Sequence, residues 1–208
     1  MSENLSFSDL KQMERVSRRQ FIIDAAVRMF IERPFSQVTM RGIAEAVGVT
    51  PAAIYSYFPD KNDLFAEAYI AAGEPFIQGA AELMRKCETF CIEDVAVHYI
   101  SHFFGSRNGR PFNFILQFTL DETIPSTAWE KINSANRRFT ELIERFFQRF
   151  NENPDAAPKI HAQSFIAALN GILLTSKNYP GKTEKEILSH MREHAVVIAG
   201  MFREKLMA

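Results

Sequence analysis

Apolar residues recur every three or four positions along most of this chain, the spacing that places them on one face of an α-helix. Ile22/Ile23, Ala26/Val27 and Phe30 predict a first helix from about residue 15 to 33, behind a polar N-terminal stretch of mixed charge that is either disordered or an extra turn of helix. A short helix is predicted after Thr39, whose hydroxyl can accept from a first-turn amide. Ile43 and Val47 share its buried face, and Gly48 stands where a helix ends in a left-handed conformation. Thr50 is a second N-cap. Pro51 takes the first helical position, where a missing N–H costs nothing, and Ile54 and Phe58 supply the apolar face. Ala44 leaves room for the two helices to cross, and Val49 can plug the gap between them. Residues 39–58 therefore form a helix-turn-helix pattern, whose DNA-binding versions place the second helix in the major groove. The plainer alternative is a helical hairpin without a nucleic-acid role.

Pro59-Asp60 interrupts the periodicity, and Asp60 or Asn62 can cap a long helix over 61–86 that Pro75 could kink. Helical spacing then resumes over 88–104, in a short apolar segment at 111–122, and over 126–151, 159–178 and 183–206. No stretch alternates as a half-buried strand would. The pattern predicts an all-α protein with an N-terminal arm and three-helix helix-turn-helix head over 1–65. A larger helical domain follows over 66–208.

No run of eighteen apolar residues is present, so no membrane span is expected, and residues 1–19 lack the apolar centre of a secretory signal. The expected location is the cytoplasm. The net charge of −1 argues against a wholly basic nucleic-acid binder. Its distribution is more informative. Residues 11–61 carry eight Lys/Arg against five Asp/Glu, and residues 62–208 sixteen against eighteen. The positive excess is modest but sits on the helix-turn-helix segment, where phosphates would be met.

Three motifs, IIDAAVRMF, TMRGIAEAVGV and AAIYSYFPDKNDLF, follow one another at fixed spacing. Through them residues 18–69 closely resemble the TetR family of bacterial transcription regulators. One departure is Pro34, where the family usually has Gly. Proline cannot supply a positive φ, so the turn at Arg33–Phe35 is expected to be built differently. The resemblance implies a homodimer on double-stranded operator DNA, with Arg41 contacting a guanine and Tyr55, Tyr57 and Lys61 holding phosphates. Thr39 joins this candidate interface at the start of the first short helix. From the residues themselves, the second short helix opens with Thr50, Pro51, Ala52 and Ala53, small side chains suited to thymine methyl groups. Arg15, Arg18 and Arg19 are either a solvated helix start or a basic arm that reaches the DNA.

Fourteen of the nineteen Phe residues lie beyond position 61, and most must be core. Their helices also carry isolated polar side chains, and apolar walls with few polar anchors describe a small-molecule pocket. Candidate lining residues are His98, His102, Phe103, Phe114, Gln117, Phe118, Trp129, Asn136, Phe139 and Phe165. The resemblance implies that such a pocket holds an inducer. Small and branched residues mix in the last two helices. Ala167, Ala168, Gly171, Ile172, Ala195, Ile198, Ala199 and Phe202 suit close packing, either within one subunit or, as the resemblance implies, across a two-fold axis.

Cys87, Cys91, His98 and His102 would line one face of a continuous helix. A single metal cannot reach all four, because Cys91 and His98 would lie about 10 Å apart along the axis. A Cys87/Cys91 redox pair would be strained at that helical spacing. No phosphate loop, G-x-S-x-G or H-E-x-x-H motif occurs, so no enzyme, metal or cofactor is expected. The expected function is a dimeric repressor released from a palindromic operator by a small apolar or amphipathic molecule. The alternatives are an activator, a ligand-independent DNA binder, or an enzyme using the Phe-lined cavity.

Overall fold

A computed structural model describes residues 6–105, 126–153, 155–176 and 179–207. Helix α1, Phe7–Glu32, starts about eight residues earlier than apolar spacing predicts. The cause is a capping box. Asp9 N–H donates to Ser6 Oγ (3.2 Å), while Ser6 N–H donates to the Asp9 carboxylate (2.8 Å). Periodicity misses such a start because this first stretch of helix buries nothing.

After α1 the chain stays extended through Arg33 (φ −130°) and Pro34 (φ −54°), then makes a 3-10 turn over Phe35–Gln37. The turn needs no positive φ, which answers the departure at Pro34. Phe35 drops into the core between Phe30 and Phe65. Helix α2, Met40–Val47, is capped by Thr39, which accepts from Gly42 N–H at 3.0 Å, and ends at Gly48 with φ 73°. Helix α3, Pro51–Tyr55, is shorter than expected. Beyond it the amides of Tyr57 and Phe58 both fold back onto the Ile54 carbonyl. Asp60 caps α4, Lys61–Lys86, by accepting from Asp63 N–H (2.8 Å), and Pro75 lies inside that helix.

One expectation fails here. Cys87, Cys91, His98 and His102 do not share a helix face, because α4 ends at Lys86 and α5 runs Ile92–Gly105. Cys87 and Cys91 lie in the corner between them, joined by a disulfide with Cα atoms 6.2 Å apart. The helical strain argued against this pair therefore does not arise. Arg149 closes the corner by donating to the Met84 and Cys87 carbonyls at the end of α4. Helices α6 (Ser126–Phe150), α7 (Pro158–Ser176) and α8 (Glu184–Met207) complete the chain. The predicted segment at 111–122 lies outside the described residues, and among those residues there is no strand.

The apolar residues form two cores. One gathers α1 to α3 with Leu64, Phe65, Ala66 and Ala68 of α4 and with Ala128 and Ile132 of α6. The other lies among α4, α5, α6, α7 and α8 and includes Phe76, Tyr99, Phe139, Phe147 and Phe165. Helices α4 and α6 thus run through both cores and tie the head to the body.

Candidate nucleic-acid interface and body cavity

The start of α3 is the exposed edge of the head. Thr50 accepts from Ala53 N–H (3.3 Å); Thr50, Pro51, Ala52 and Tyr55 are exposed, and Ala53 is half-buried. Ile54 and Phe58, fully buried, anchor this edge to the core. Arg41 is exposed on α2 and, among the described residues, pairs only with Glu45 one turn on (3.0 Å), so its guanidinium can be redirected at little cost. Thr39 is committed to its cap.

In sequence Arg15, Arg18 and Arg19 of α1 look alike, and the structure separates them. Arg19 stacks over Phe58 (4.9 Å) and pairs with Glu67 of α4 (3.0 Å), which makes it a brace inside the head. Arg18 is exposed beside Glu14. Arg15 lies 5.9 Å from the Tyr57 ring, and with Lys11, Arg18 and Ser56 it borders a shallow concavity beside α3. Lys61 is also turned inward. Its ammonium donates to the Phe35 carbonyl (3.0 Å) and sits 3.9 Å from that residue's ring centroid.

The body holds a cavity of about 250 Å³ among α4, α5, α6 and α7. Three of the expected lining residues, Phe103, Asn136 and Phe139, do line it. His98 and His102 stand behind Phe76 instead, in ring contact with it at 5.3 and 5.4 Å. Burial lowers the pKa of His102, partly offset by the Ala72 carbonyl. Trp129 packs against the head core, and Phe165 is buried between Phe147 and Phe202, so neither lines the cavity. Phe114, Gln117 and Phe118 lie outside the described residues.

Sequence reasoning missed the wall that α4 supplies. Tyr69, Gly73, Phe76 and Ile77 follow helical spacing, but inside a helix read as a connector they looked like ordinary packing. Two phenol–amide pairs organise the polar part of the cavity. Tyr69 Oη donates to Asn136 Oδ1 (3.0 Å), and Tyr99 Oη donates to Asn170 Oδ1 (2.6 Å). Burial pushes the Tyr69 phenol up to about 12 and raises Tyr99 further, so both stay protonated donors. Glu74 and Arg138 face each other at the rim, 3.6 Å apart.

The expected dimer residues divide by burial. Ala195 and Ala199 are fully buried and Ile172 nearly so, inside the body of one subunit. Ile198 and Phe202 pack partly against the same core, and Ala168 and Gly171 are half-buried. Ala167 is exposed, and apolar side chains not foreseen on the same two helices reach solvent, with Leu174 51%, Val197 59% and Met201 59% exposed.

Residues 22–68 match the sequence profile described as bacterial regulatory proteins, tetR family. The HTH-type transcriptional regulator AcrR of Shigella flexneri is 43% identical over 58 residues, which are 28% of this chain and 27% of that protein. The nucleoid occlusion factor SlmA of Marinobacter nauticus is 34% identical over 100 residues, 46% of this chain and 49% of that protein. Residues 22–68 are thus a TetR-family head. TetR-type folds also cover most of the chain. A putative transcriptional regulator from Pseudomonas aeruginosa PAO1 superposes with a TM-score of 0.71 at 14% identity, over 92% of this chain and 95% of that one. The regulator FadR of Bacillus subtilis, solved with stearoyl-CoA, gives 0.68 at 16% identity, over 86% and 97%. These two curated relatives are thus matched over only about a quarter to a half of their lengths. Over the whole length, the likeness is one of fold. Among the described residues no helix is long and apolar enough to cross a membrane.

Proposed function

We propose that this chain is a homodimeric transcriptional repressor of the TetR family that occupies a palindromic operator and is released when a small molecule enters the body cavity. The observation that carries the proposal is the doubly capped helix-turn-helix, with the start of α3 exposed on a buried anchor. In this reading residues 1–65 are the DNA-binding head and 66–208 the body, with α4 running through the division. Thr50, Pro51, Ala52 and Ala53 enter the major groove and meet thymine methyls. Arg41 reads a base, and Tyr55, Tyr57 and the Thr39 cap lie against the backbone. The Lys61 ammonium, already engaged at Phe35, acts as a brace rather than a phosphate ligand.

Dimerisation through α7 and α8 is supported by the exposed apolar side chains of Leu174, Val197 and Met201, which a second copy would cover. A ligand site in the body is supported by the cavity and by two fold neighbours solved with small molecules, choline in one and stearoyl-CoA in the other.

Selection of bound fragments from a random DNA pool tests the reading, with retention measured across a salt series. A two-fold-symmetric site whose half-sites lie one helical turn apart, or a multiple of it, is expected. Recovery of no common sequence would sink the proposal. The dimer has its own test in Gly171→Arg. A Cβ at Gly171 meets no neighbouring atom within 4 Å in the subunit, and the half-buried position leaves a longer side chain a way out to solvent, so the variant should fold. Sedimentation should then find a monomer with weakened operator binding; an unchanged dimer would remove α7 from the interface.

A further inference from the structure

The cavity is narrower in its chemistry than a general apolar pocket. At about 250 Å³ it lies below the roughly 300–1,000 Å³ of sites for drug-sized ligands, so it suits a compact molecule and not a long acyl chain. Its floor is aromatic. Phe76 meets Phe139 edge-on at 4.7 Å, and Tyr99 meets Phe103 at 4.7 Å with tilted planes, so both ring faces and ring edges are offered to a flat guest. The polar complement has one direction. Asn136 and Asn170 each have the side-chain carbonyl engaged by a tyrosine hydroxyl, which leaves the NH2 group as the wholly unengaged function of each. Among the described residues neither amide nitrogen has a hydrogen-bond partner. Among the described residues the charged lining residues are Glu74 and Arg138, opposite in sign and paired at the rim, so they give the site no net charge with which to select an ion.

From this geometry we infer that the cavity binds a small, neutral, planar aromatic molecule carrying a carbonyl-type hydrogen-bond acceptor, held by the amides of Asn170 and Asn136. This rests on the ligand-responsive reading above and narrows it to a chemical class.

Calorimetry on the full chain tests it with four probes: coumarin, naphthalene, benzyltrimethylammonium and decanoate. Coumarin and naphthalene are similar in size and flatness, but only coumarin carries the acceptor. A net hydrogen bond then predicts roughly 5-fold tighter binding of coumarin, at one site per chain. Two variants probe the donor, each checked for folding by its melt without ligand. Asn170→Leu removes one of the two amides and should reduce the preference for coumarin over naphthalene. Asn170→Asp keeps an acceptor for Tyr99 Oη but replaces the donor with a negative charge. It should also show a reduced preference, and it should bind benzyltrimethylammonium more tightly than the wild type does. Equal binding of coumarin and naphthalene by the wild type, or an intact preference in Asn170→Leu, overturns the inference. If decanoate or benzyltrimethylammonium binds the wild type where coumarin does not, the class is wrong and the ligand-site reading stands. If no probe binds, the class falls. Operator binding measured on the same sample then shows whether the DNA-binding reading falls with it.

Discussion

Lys61 is the position where a structural and a DNA-binding role make opposite predictions. Its Nζ donates to the Phe35 carbonyl at 3.0 Å and lies 3.9 Å from the centroid of the Phe35 ring. Phe35 is itself wedged between Phe30 and Phe65, so the interaction ties the start of α4 to the 3-10 turn that follows α1. Lys61→Met keeps the aliphatic stem and removes both interactions. A hydrogen bond from a charged donor contributes about 1.5–3 kcal/mol net, and a partly exposed cation–π pair about 0.5–1 kcal/mol. Because Lys61 is half-buried, the lower ends apply, and the variant should lose about 2 kcal/mol of unfolding free energy. Urea unfolding followed by circular dichroism measures this loss. Filter binding to the selected operator across a salt series measures the other role. If Lys61 braces the turn, the slope of log K against log salt is unchanged. Unaltered stability together with a slope shallower by about 0.9, the value of one phosphate left without its cation, would refute the bracing argument and return Lys61 to the DNA interface.

Other positions give equally separable outcomes. Gly48→Ala should cost about 1 kcal/mol in the same urea assay, since φ is 73° there and no neighbouring atom lies near the added methyl; a neutral substitution would show that α2 need not end in a left-handed cap. Arg41→Ala should leave stability within about 0.5 kcal/mol, because its one ion pair is solvent-exposed, yet weaken the preferred operator by about 1–3 kcal/mol and relax one base pair per half-site. Equal weakening on all sequences would make Arg41 a positioning residue. His102 gives a pH signature. Burial favours its neutral form in the folded chain, so below the ordinary value of 6.5 the unfolded chain takes up a proton that the folded chain resists. Stability should fall as pH drops below that value, and His102→Phe should flatten that part of the profile; identical profiles would dismiss His102 as a contributor.

The head is legible in sequence because each of its boundaries is written in local chemistry. Thr39, Gly48, Thr50, Pro51 and Asp60 act at the cap or turn where they stand, so no distant residue is needed to interpret them. The start of α1 escapes apolar spacing although its signal, Ser6 with Asp9 three residues on, is equally local. Capping chemistry marks it, and periodicity does not. The body is harder for a different reason. Helical spacing says which residues face inward, but not which inward face meets which. Phe165 and Phe103 look alike in sequence. Only the packing of α5, α6 and α7 makes one of them core and the other cavity wall. The same ambiguity puts Ala195 and Ala199 among the expected dimer residues. They are small because helices pack closely on them inside the subunit, while the larger Val197 and Met201 stand exposed.

These placements also constrain how a ligand could act on the head. Helices α4 and α6 are joined at several points along their length, and two of these bear on the head. Nearer the head, Lys131 of α6 pairs with Asp63 and, at 3.8 Å, with Glu67 of α4, and Glu67 also holds Arg19 of α1. Nearer the cavity, Tyr69 bonds Asn136. Tyr69 lies six residues from Asp63, about 9 Å along the helix, so a guest that engages Asn136 acts within two turns of the ion pairs that hold the head. Such a guest can shift DNA affinity only if it binds one arrangement of α4 against α6 better than the other. A molecule that binds the free amide of Asn136 and leaves the phenol bond intact would favour the present arrangement. One that takes the amide by displacing Tyr69 would favour a second arrangement, with α4 freed at its midpoint while Lys131 still holds its head end. The link from ligand to operator would then pass through the Tyr69–Asn136 bond, and replacing Tyr69 with Phe should make the protein answer to the ligand as though that bond had already been given up.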